Sequence, residues 1–191
     1  MAQGADPLEA ARLALRVRQG GGARYDAPSA PARELAWARS GMAYFRRKLN
    51  EIDDSGLWTA SRRPGWSRRR VIAAAALEAR AIAQAIERAI GAPEHEFADT
   101  GGAALDLAET LPARALRHLA THADAHLDVV WRDLGDAQWD VAVAGVAEAA
   151  TARQTALRRA RTLWRGAIDL GAGGRWRDAP VALAAMEGWR E

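Results

Sequence analysis

The chain has 191 residues, of which 49% are hydrophobic and 27% charged, and it contains no cysteine. This length predicts one ordinary domain, and the lack of cysteine excludes a disulfide scaffold, a cysteine-based zinc site and a cysteine nucleophile. No apolar run approaches the ~20 residues of a membrane span, and the first twenty residues lack the apolar core of a secretory signal. We therefore expect a cytoplasmic protein with no membrane partner.

The basic residues are 26 arginines and one lysine, Lys48, and the formal net charge is only +3. Because arginine keeps its proton near neutral pH, this composition gives a sequence pI of about 10.1 without a strong positive field. The arginines are interspersed with acidic residues, and no nucleic-acid recognition motif is present. We expect no nucleic-acid partner.

Apolar residues recur at helical spacing through most of the chain, which predicts an all-α protein. Residues 1–30 are predicted as an N-terminal extension with a short helix at 7–19, and residues 31–191 as the main domain. The first long helix begins near Pro31. Its predicted buried face consists of Leu35, Ala38, Met42, Phe45, Leu49 and Ile52.

The second long helix is predicted to begin with Ser67 as its N-cap, with Trp66 and Val71 spaced as a hydrophobic staple. Gly91 and Pro93 end it, and residues 92–109 are predicted as a loop. The predicted buried stripe is Ile72, Ala75, Ala79, Ile82, Ile86 and Ala89.

The third long helix is predicted from about residue 111 to 134, the fourth from about 147 to 170, and a short terminal helix from 181 to 189. The third is expected to bury Leu116, Ala120, Ala123, Leu127, Val130 and Leu134, and the fourth Leu157, Ala160, Trp164 and Ala167. Four long amphipathic helices predict a four-helix bundle.

Three segments carry a family resemblance: SRRPGWSRRRVIAAAALEARA, HLDVVWRDLGDAQWD and RRARTLWRGAIDLGAGGRWRDAP. They resemble the landmark segments of the mycothiol-dependent maleylpyruvate isomerase family, within the DinB-like superfamily, over about residues 32–180. The resemblance implies a DinB-like four-helix bundle and makes mycothiol a candidate cofactor. Because the sequence ends soon after Trp176, we expect no counterpart of the C-terminal domain that the isomerase carries.

The resemblance also implies a divalent-metal site, formed by a histidine on the second helix and by an acidic residue and a histidine on the fourth. These positions are occupied here by Ala74, Thr162 and Gly166. Alanine and glycine have no side-chain donor, and a lone threonine hydroxyl is a poor ligand. We therefore predict no metal. The three residues line a substrate pocket, or they reflect drift after a lost activity; Gly166 within a helix indicates either function or close packing.

Arg68, Arg69 and Arg70 stand at the start of the second helix, where the helix dipole favours anions. They predict either a carboxylate or phosphate site or a solvated basic turn. In the catalytic hypothesis, Arg70 and Arg158 orient a substrate anion.

Glu78 lies one helical turn after Ala74 and is the candidate proton donor or acceptor, with an exposed surface glutamate as the alternative. Asp169 is a candidate substrate contact or a brace for the helix end. Trp66 and Trp164 are candidate pocket walls or core aromatics.

His118, His122 and His126 repeat at every fourth residue of the third helix. This spacing predicts a stripe of histidines on the protein surface, with a metal site as the alternative.

The leading functional hypothesis is a metal-independent isomerase, cyclase or lyase acting on an anionic organic substrate. One alternative is a non-catalytic member that binds a ligand or a partner, and another is a mycothiol-dependent transferase or isomerase. A homodimer remains open.

Overall fold

The computed structural model describes residues 26–92 and 98–186. These ranges contain six α-helices, namely α1 (Ala32–Asn50), α2 (Arg68–Ala89), α3 (Gly102–Thr110), α4 (Ala113–Asp133), α5 (Ala152–Asp169) and α6 (Val181–Ala184). Short 3-10 turns lie at Gly56–Trp58, Asp136–Asp140 and Trp176–Asp178. The only β-type pairings in these ranges are two isolated bridges, so the all-α prediction is confirmed. The helix predicted at 7–19 and the last residues of the predicted terminal helix lie outside the described residues.

The four long helices α1, α2, α4 and α5 form the bundle. The main contacts join α1 to α5 and α2 to α4, while α2 and α5 touch each other less closely. This looser pairing leaves room for the cleft described below. None of the described helices is both long and apolar enough to cross a bilayer.

The predicted core positions are largely confirmed. All six positions predicted for the third long helix are buried, as are five of the six on the first. Three residues differ, since Met42 and Leu157 are only half-buried and Ala89 is exposed. Ala89 is the last residue of α2, at the end of the bundle.

The prediction of a loop over residues 92–109 was wrong, because Gly102–Thr110 form α3. A nine-residue helix is marginal by itself, and tertiary contacts stabilise this one. Arg69 donates hydrogen bonds to the carbonyl oxygens of Glu109 and Leu111 at the end of α3, and Arg70 Nη1 lies 2.8 Å from both Asp106 Oδ1 and Glu109 Oε2.

The last long helix begins five residues later than predicted, at Ala152. Residues before it fold back through the bridge between Ala142 and Thr151. Gln154 Oε1 accepts hydrogen bonds from the backbone N–H groups of Ala150 (2.6 Å) and Thr151 (3.2 Å). These bonds satisfy N–H groups that a helix start leaves without partners.

The start of α2 matches the prediction. Ser67 Oγ accepts a hydrogen bond from the Arg70 N–H at 3.0 Å, so Ser67 is the N-cap. The same hydroxyl donates to Glu109 Oε1 at 2.6 Å. The cap therefore fixes both the first turn of α2 and the end of α3.

Candidate functional site

A cleft with a volume of about 420 Å³ opens between α2 and α5, within the range of about 300–1,000 Å³ that is typical of ligand sites. The residues on α5 that line it recur at helical spacing and so share one face of that helix. The complete lining consists of Arg63, Trp66, Val71, Ala74, Ala75, Glu78, Glu148, Arg158, Arg161, Thr162, Arg165, Gly166 and Asp169.

The cleft runs along α2 and α5, which are antiparallel, and different residues form its two ends. At one end, the Arg62 N–H donates to the Asp169 carbonyl oxygen at 2.7 Å; we call this the loop end, formed by Arg63, Trp66, Arg165 and Asp169. The other, the Glu78 end, is formed by Glu78, Glu148, Arg158 and Arg161. About 16 Å of helix rise separates residues 158 and 169.

Both carboxylate oxygens of Glu78 accept hydrogen bonds. Oε1 accepts from Arg158 Nε and from Thr162 Oγ1, both at 2.7 Å, and Oε2 accepts from Arg159 Nη1 at 3.0 Å. Two guanidinium groups thus stabilise the ionised carboxylate. These three bonds fix the position of the carboxylate, and neither of its oxygens is left without a hydrogen bond.

Arg159 holds this arrangement from within the bundle. Its side chain is only 2% exposed, and it donates at 2.6 Å both to the Ala75 carbonyl oxygen and to Asp124 Oδ1. Asp124 is itself buried. A buried charge persists only when it is paired and hydrogen-bonded, so Asp124, Arg159 and Glu78 form one ionic unit that links α4, α5 and α2.

The loop end has a different character. Burial raises the pKa of the Asp169 carboxyl above its usual value, against the opposing effects of Arg165, Arg63 and Arg62. Within the described residues, the Asp169 side chain accepts no hydrogen bond, and the Arg165 side chain donates none. Arg63 stacks over Trp66, with its guanidinium carbon 3.6 Å from the ring centroid.

Seven of the nine site residues predicted from the sequence line this one cleft: Trp66, Ala74, Glu78, Arg158, Thr162, Gly166 and Asp169. Arg70 does not, because it pairs with Asp106 and Glu109 on α3. Trp164 faces α1, where it stacks on Tyr44 with ring centroids 4.8 Å apart and donates to the Trp37 carbonyl oxygen at 3.0 Å. Trp164 is therefore a core aromatic.

The arginines at the start of α2 do not form the anion site considered for them. Arg68 donates to the carbonyl oxygens of Gly56 and Gly171, while Arg69 and Arg70 bind α3. The guanidinium groups of these three arginines donate to neighbouring segments of the chain. The arginines therefore form neither the anion site nor the solvated basic turn that the sequence suggested.

Six lining residues were not predicted as site residues: Val71 and Ala75, which were expected only as packing residues, and the charged Arg63, Glu148, Arg161 and Arg165. The spacing 158, 161, 165 and 169 on one helix face was the available signal for two of them. Glu148 gave none. It adopts a left-handed backbone conformation, with φ of 58°, and its carboxylate lies 2.9 Å from Arg158 Nη1.

The residues present do not fit the divalent metal that the family resemblance implies. Ala74 and Gly166 supply no donor, and the Thr162 hydroxyl donates to Glu78. A Cβ on Gly166 would lie 3.0 Å from Phe45 Cε2, so a larger ligand residue there would require the core to move. Glu78 itself is engaged by two arginines.

No group of three or more His, Cys, Asp or Glu side chains in the described ranges is arranged to hold a metal ion. His118 and His122 are exposed, with ring centroids 6.0 Å apart. His126 Nε2 lies 2.9 Å from Glu87 Oε1. The histidine stripe thus lies apart from the cleft lining.

Comparisons with known proteins agree with the fold. The sequence model of the mycothiol maleylpyruvate isomerase N-terminal domain matches residues 38–171. Two crystal structures of mycothiol-dependent maleylpyruvate isomerase are similar: a histidine-to-alanine mutant, with 30% identity and a TM-score of 0.70, and the enzyme itself, with 29% identity and a TM-score of 0.71. Each match covers 80% of this chain and 65% of that chain, so the chain spans less than two thirds of those proteins. No curated protein matches. The predicted DinB-like helical fold is confirmed, and the chain belongs to the family of the mycothiol maleylpyruvate isomerase N-terminal domain.

Proposed function

We propose that the chain is an isomerase, cyclase or lyase that converts a small anionic organic molecule in the cleft between α2 and α5 without the family's metal. The proposal rests on the charged residues at the loop end of the cleft. There, a carboxyl group with a raised pKa, Asp169, lies in the field of Arg165 and Arg63. Anion-binding groups and a proton-transfer group are thus available at one place.

The proposed roles follow from the contacts. Arg165 and Arg63 hold the anionic group of the substrate through charge-assisted hydrogen bonds. Asp169 moves the proton, because a carboxyl pKa closer to the working pH makes a better acid or base. Trp66 walls the cleft, and its ring is held by Arg63 and by Arg70, whose guanidinium carbon lies 5.3 Å from the ring centroid.

In this proposal, the charged residues at the Glu78 end of the cleft act electrostatically on the substrate. Arg158 and Glu78 are fixed by bonds to each other and to Arg159, so their charges do not have to reorganise during the reaction. Ala74, Thr162 and Gly166 form the middle of the cleft, where the substrate body lies. No step requires a metal, because these side chains do not offer a ligand set.

A mycothiol-dependent isomerase is the second candidate, favoured by the family and by the similar structures. In that case mycothiol would supply a thiol nucleophile, and the cleft would hold the substrate's anionic group. A non-catalytic binding protein is the third candidate, favoured by the full engagement of Glu78. The cytoplasmic location and the homodimer stay predictions.

Turnover assays on the purified chain distinguish these candidates. Maleylpyruvate and a panel of small unsaturated and keto acids are followed by NMR, with and without mycothiol and with and without a strong chelator. We expect turnover that the chelator does not affect. Turnover only with mycothiol supports the second candidate, and saturable binding without turnover supports the third.

Asp169→Asn tests the assignment of the proton-transfer group. It should lower kcat by about 100-fold or more, the usual scale of general acid–base catalysis. The matched control is Asp54→Asn, an equal change at an exposed carboxylate outside the cleft lining, which should keep full activity. Unchanged turnover in Asp169→Asn would refute the proposed role.

A further inference from the structure

We infer that the loop end of the cleft is a subsite for a single carboxylate group, and that the ligand carries an apolar body along the middle of the cleft. The inference rests on the proposed function in taking this cleft as the ligand site, but it does not depend on turnover. It narrows the substrate class to monocarboxylic acids with an apolar portion.

The charges of the lining residues are compensated unequally along the cleft. Arg158 lies within 2.9 Å of carboxylate oxygens of both Glu78 and Glu148, and Arg161 Nη1 lies 3.7 Å from Glu148 Oε2. In contrast, Arg63 and Arg165 lie within 4.0 Å of no carboxylate oxygen among the described residues. Among the lining residues, the two arginines without a close ion pair are therefore both at the loop end.

Arg63 and Arg165 also converge on one place. They come from different segments, the loop before α2 and the body of α5, yet both line the same end of the cleft as Asp169. Stacking on Trp66 fixes Arg63. A ligand therefore meets at least one guanidinium group, that of Arg63, whose position is already restricted, which reduces the entropy cost of binding.

The number of charges indicates one carboxylate. Glu78 and Glu148 are paired with Arg158 and Arg161. At the loop end, two arginines, Arg63 and Arg165, therefore share one lining carboxylate, Asp169, and one positive charge remains there when Asp169 is ionised. A single carboxylate neutralises it. A second negative charge on the ligand would lie among Glu78, Glu148 and Asp169 with no free cation to balance it.

The side chains in the middle of the cleft indicate the chemistry of the rest of the ligand. Val71, Ala74 and Ala75 on α2 face Gly166 on α5 across the cleft, and none of these side chains offers a hydrogen bond. Their surfaces gain from contact with an apolar body. Thr162 does not contradict this, because its hydroxyl hydrogen is already donated to Glu78.

Binding of simple acids to the intact chain tests the inference. Butyrate, hexanoate and benzoate are titrated by NMR, with benzamide as the uncharged match for benzoate and phthalate as its doubly charged match. We expect saturable binding of at least one monocarboxylate at about millimolar concentration or below. Benzamide should bind at least about 10-fold more weakly than benzoate, since it lacks the charge, and phthalate should bind no more tightly than benzoate.

Four variants locate the subsite. Arg165→Met and Arg63→Met should each weaken binding of the monocarboxylate by about 10-fold. Arg161→Met, within the cleft but close to Glu148, and Arg114→Met, exposed and outside the cleft lining, should change it by less than about threefold. Thermal unfolding of each variant verifies that it is folded.

Each contrary result overturns a stated part of the inference. No saturable binding of any monocarboxylate refutes the subsite, equal binding of benzoate and benzamide refutes the charge requirement, and tighter binding of phthalate refutes the single charge. A larger effect at Arg161 than at Arg165 moves the anion to the Glu78 end. Arginine-dependent binding without turnover would instead sustain the subsite and refute only the proposed enzyme.

Discussion

Replacing Gly166 with alanine tests whether this glycine exists for close helix packing. Gly166 lies in α5, where glycine costs about 1 kcal/mol relative to alanine, so an unhindered Gly166→Ala change would stabilise the protein by that amount. In the structure, however, the new Cβ would lie 3.0 Å from Phe45 Cε2 and 3.4 Å from Phe45 Cδ2.

The Phe45 ring has little freedom to yield. Phe45 is 1% exposed and belongs to the core, where overpacking costs about 1–3 kcal/mol. Set against the gain in helix propensity, this predicts that Gly166→Ala lowers the free energy of unfolding by about 1 kcal/mol. Urea unfolding monitored by circular dichroism measures this difference.

Alanine substitutions at two other glycines should give one smaller and one larger loss of stability than Gly166→Ala. At Gly102, in the first turn of α3, an added Cβ would meet no atom within 4 Å, so Gly102→Ala should be neutral or stabilising by up to about 1 kcal/mol. At Gly41, a Cβ would lie 2.9 Å from two atoms of the buried Trp164 ring. Gly41→Ala should therefore be the most destabilising of the three.

Phe45 itself provides a second test of the packing explanation. In a Phe45→Leu background the overlap is relieved, so Gly166→Ala should become neutral or stabilising. A gain of about 1 kcal/mol from Gly166→Ala alone would refute the packing explanation. It would show that the structure has room for a Cβ at this position.

Three further predictions concern the rest of the site. Arg159→Met leaves Glu78 and Asp124 without their shared buried cation and should lower the free energy of unfolding by about 3–5 kcal/mol; a loss below about 1 kcal/mol in urea unfolding would contradict the buried unit. Because burial raises the pKa of Asp169 above 3.8, ionisation of Asp169 opposes folding, and Asp169→Asn should be more stable than wild type at neutral pH. In a pH series of thermal unfolding, this difference in stability should vanish below about pH 3.8. A difference that does not change with pH would contradict the prediction. Ser67→Ala removes the N-cap of α2 and should cost about 1 kcal/mol by the same urea measurement, whereas no loss would show that the cap contributes nothing.

The bundle was predictable from the sequence because it depends on helical spacing. Side chains that recur every three or four residues share one face of a helix, so Glu78 was expected beside Ala74 on α2. The proximity of Ala74 to Thr162 and Gly166 on α5 was implied by the family resemblance rather than by spacing, and these residues line one cleft.

The errors arose where a residue's position depends on a distant partner. Arg70 was assigned to the site because the arginines at the start of α2 predicted an anion site, but Asp106 and Glu109 bind it. Both acids lie in the segment predicted as a loop, and without α3 their carboxylates had no defined position. The error in one secondary-structure element thus produced the error in the site.

The ionic unit of Glu78, Arg159 and Asp124 was also beyond the sequence analysis. Charged side chains are rarely buried, so helical spacing alone favours an exposed Arg159. Its partner Asp124 is 35 residues away, and only the register of α4 against α5 brings the two together. Local patterns carry no information about that register.

The ionic unit also restricts the chemistry that the cleft supports. A bound metal acts as a Lewis acid and lowers the pKa of a coordinated group, whereas a guanidinium group attracts anions without coordinating them and keeps its proton at working pH. Arg158 and Arg159 supply the positive charge beside Glu78, and they cannot activate a thiol by coordination. A neighbouring guanidinium group lowers the pKa of a thiol electrostatically, and Asp169 is the proton acceptor available at the loop end. If mycothiol is the cofactor, the rate should therefore rise with pH through the ionisation of Asp169 and be abolished in Asp169→Asn, while a chelator leaves it unchanged. A rate that chelation abolishes and added zinc restores would instead require a metal bound by ligands other than those of the cleft, and would refute this account.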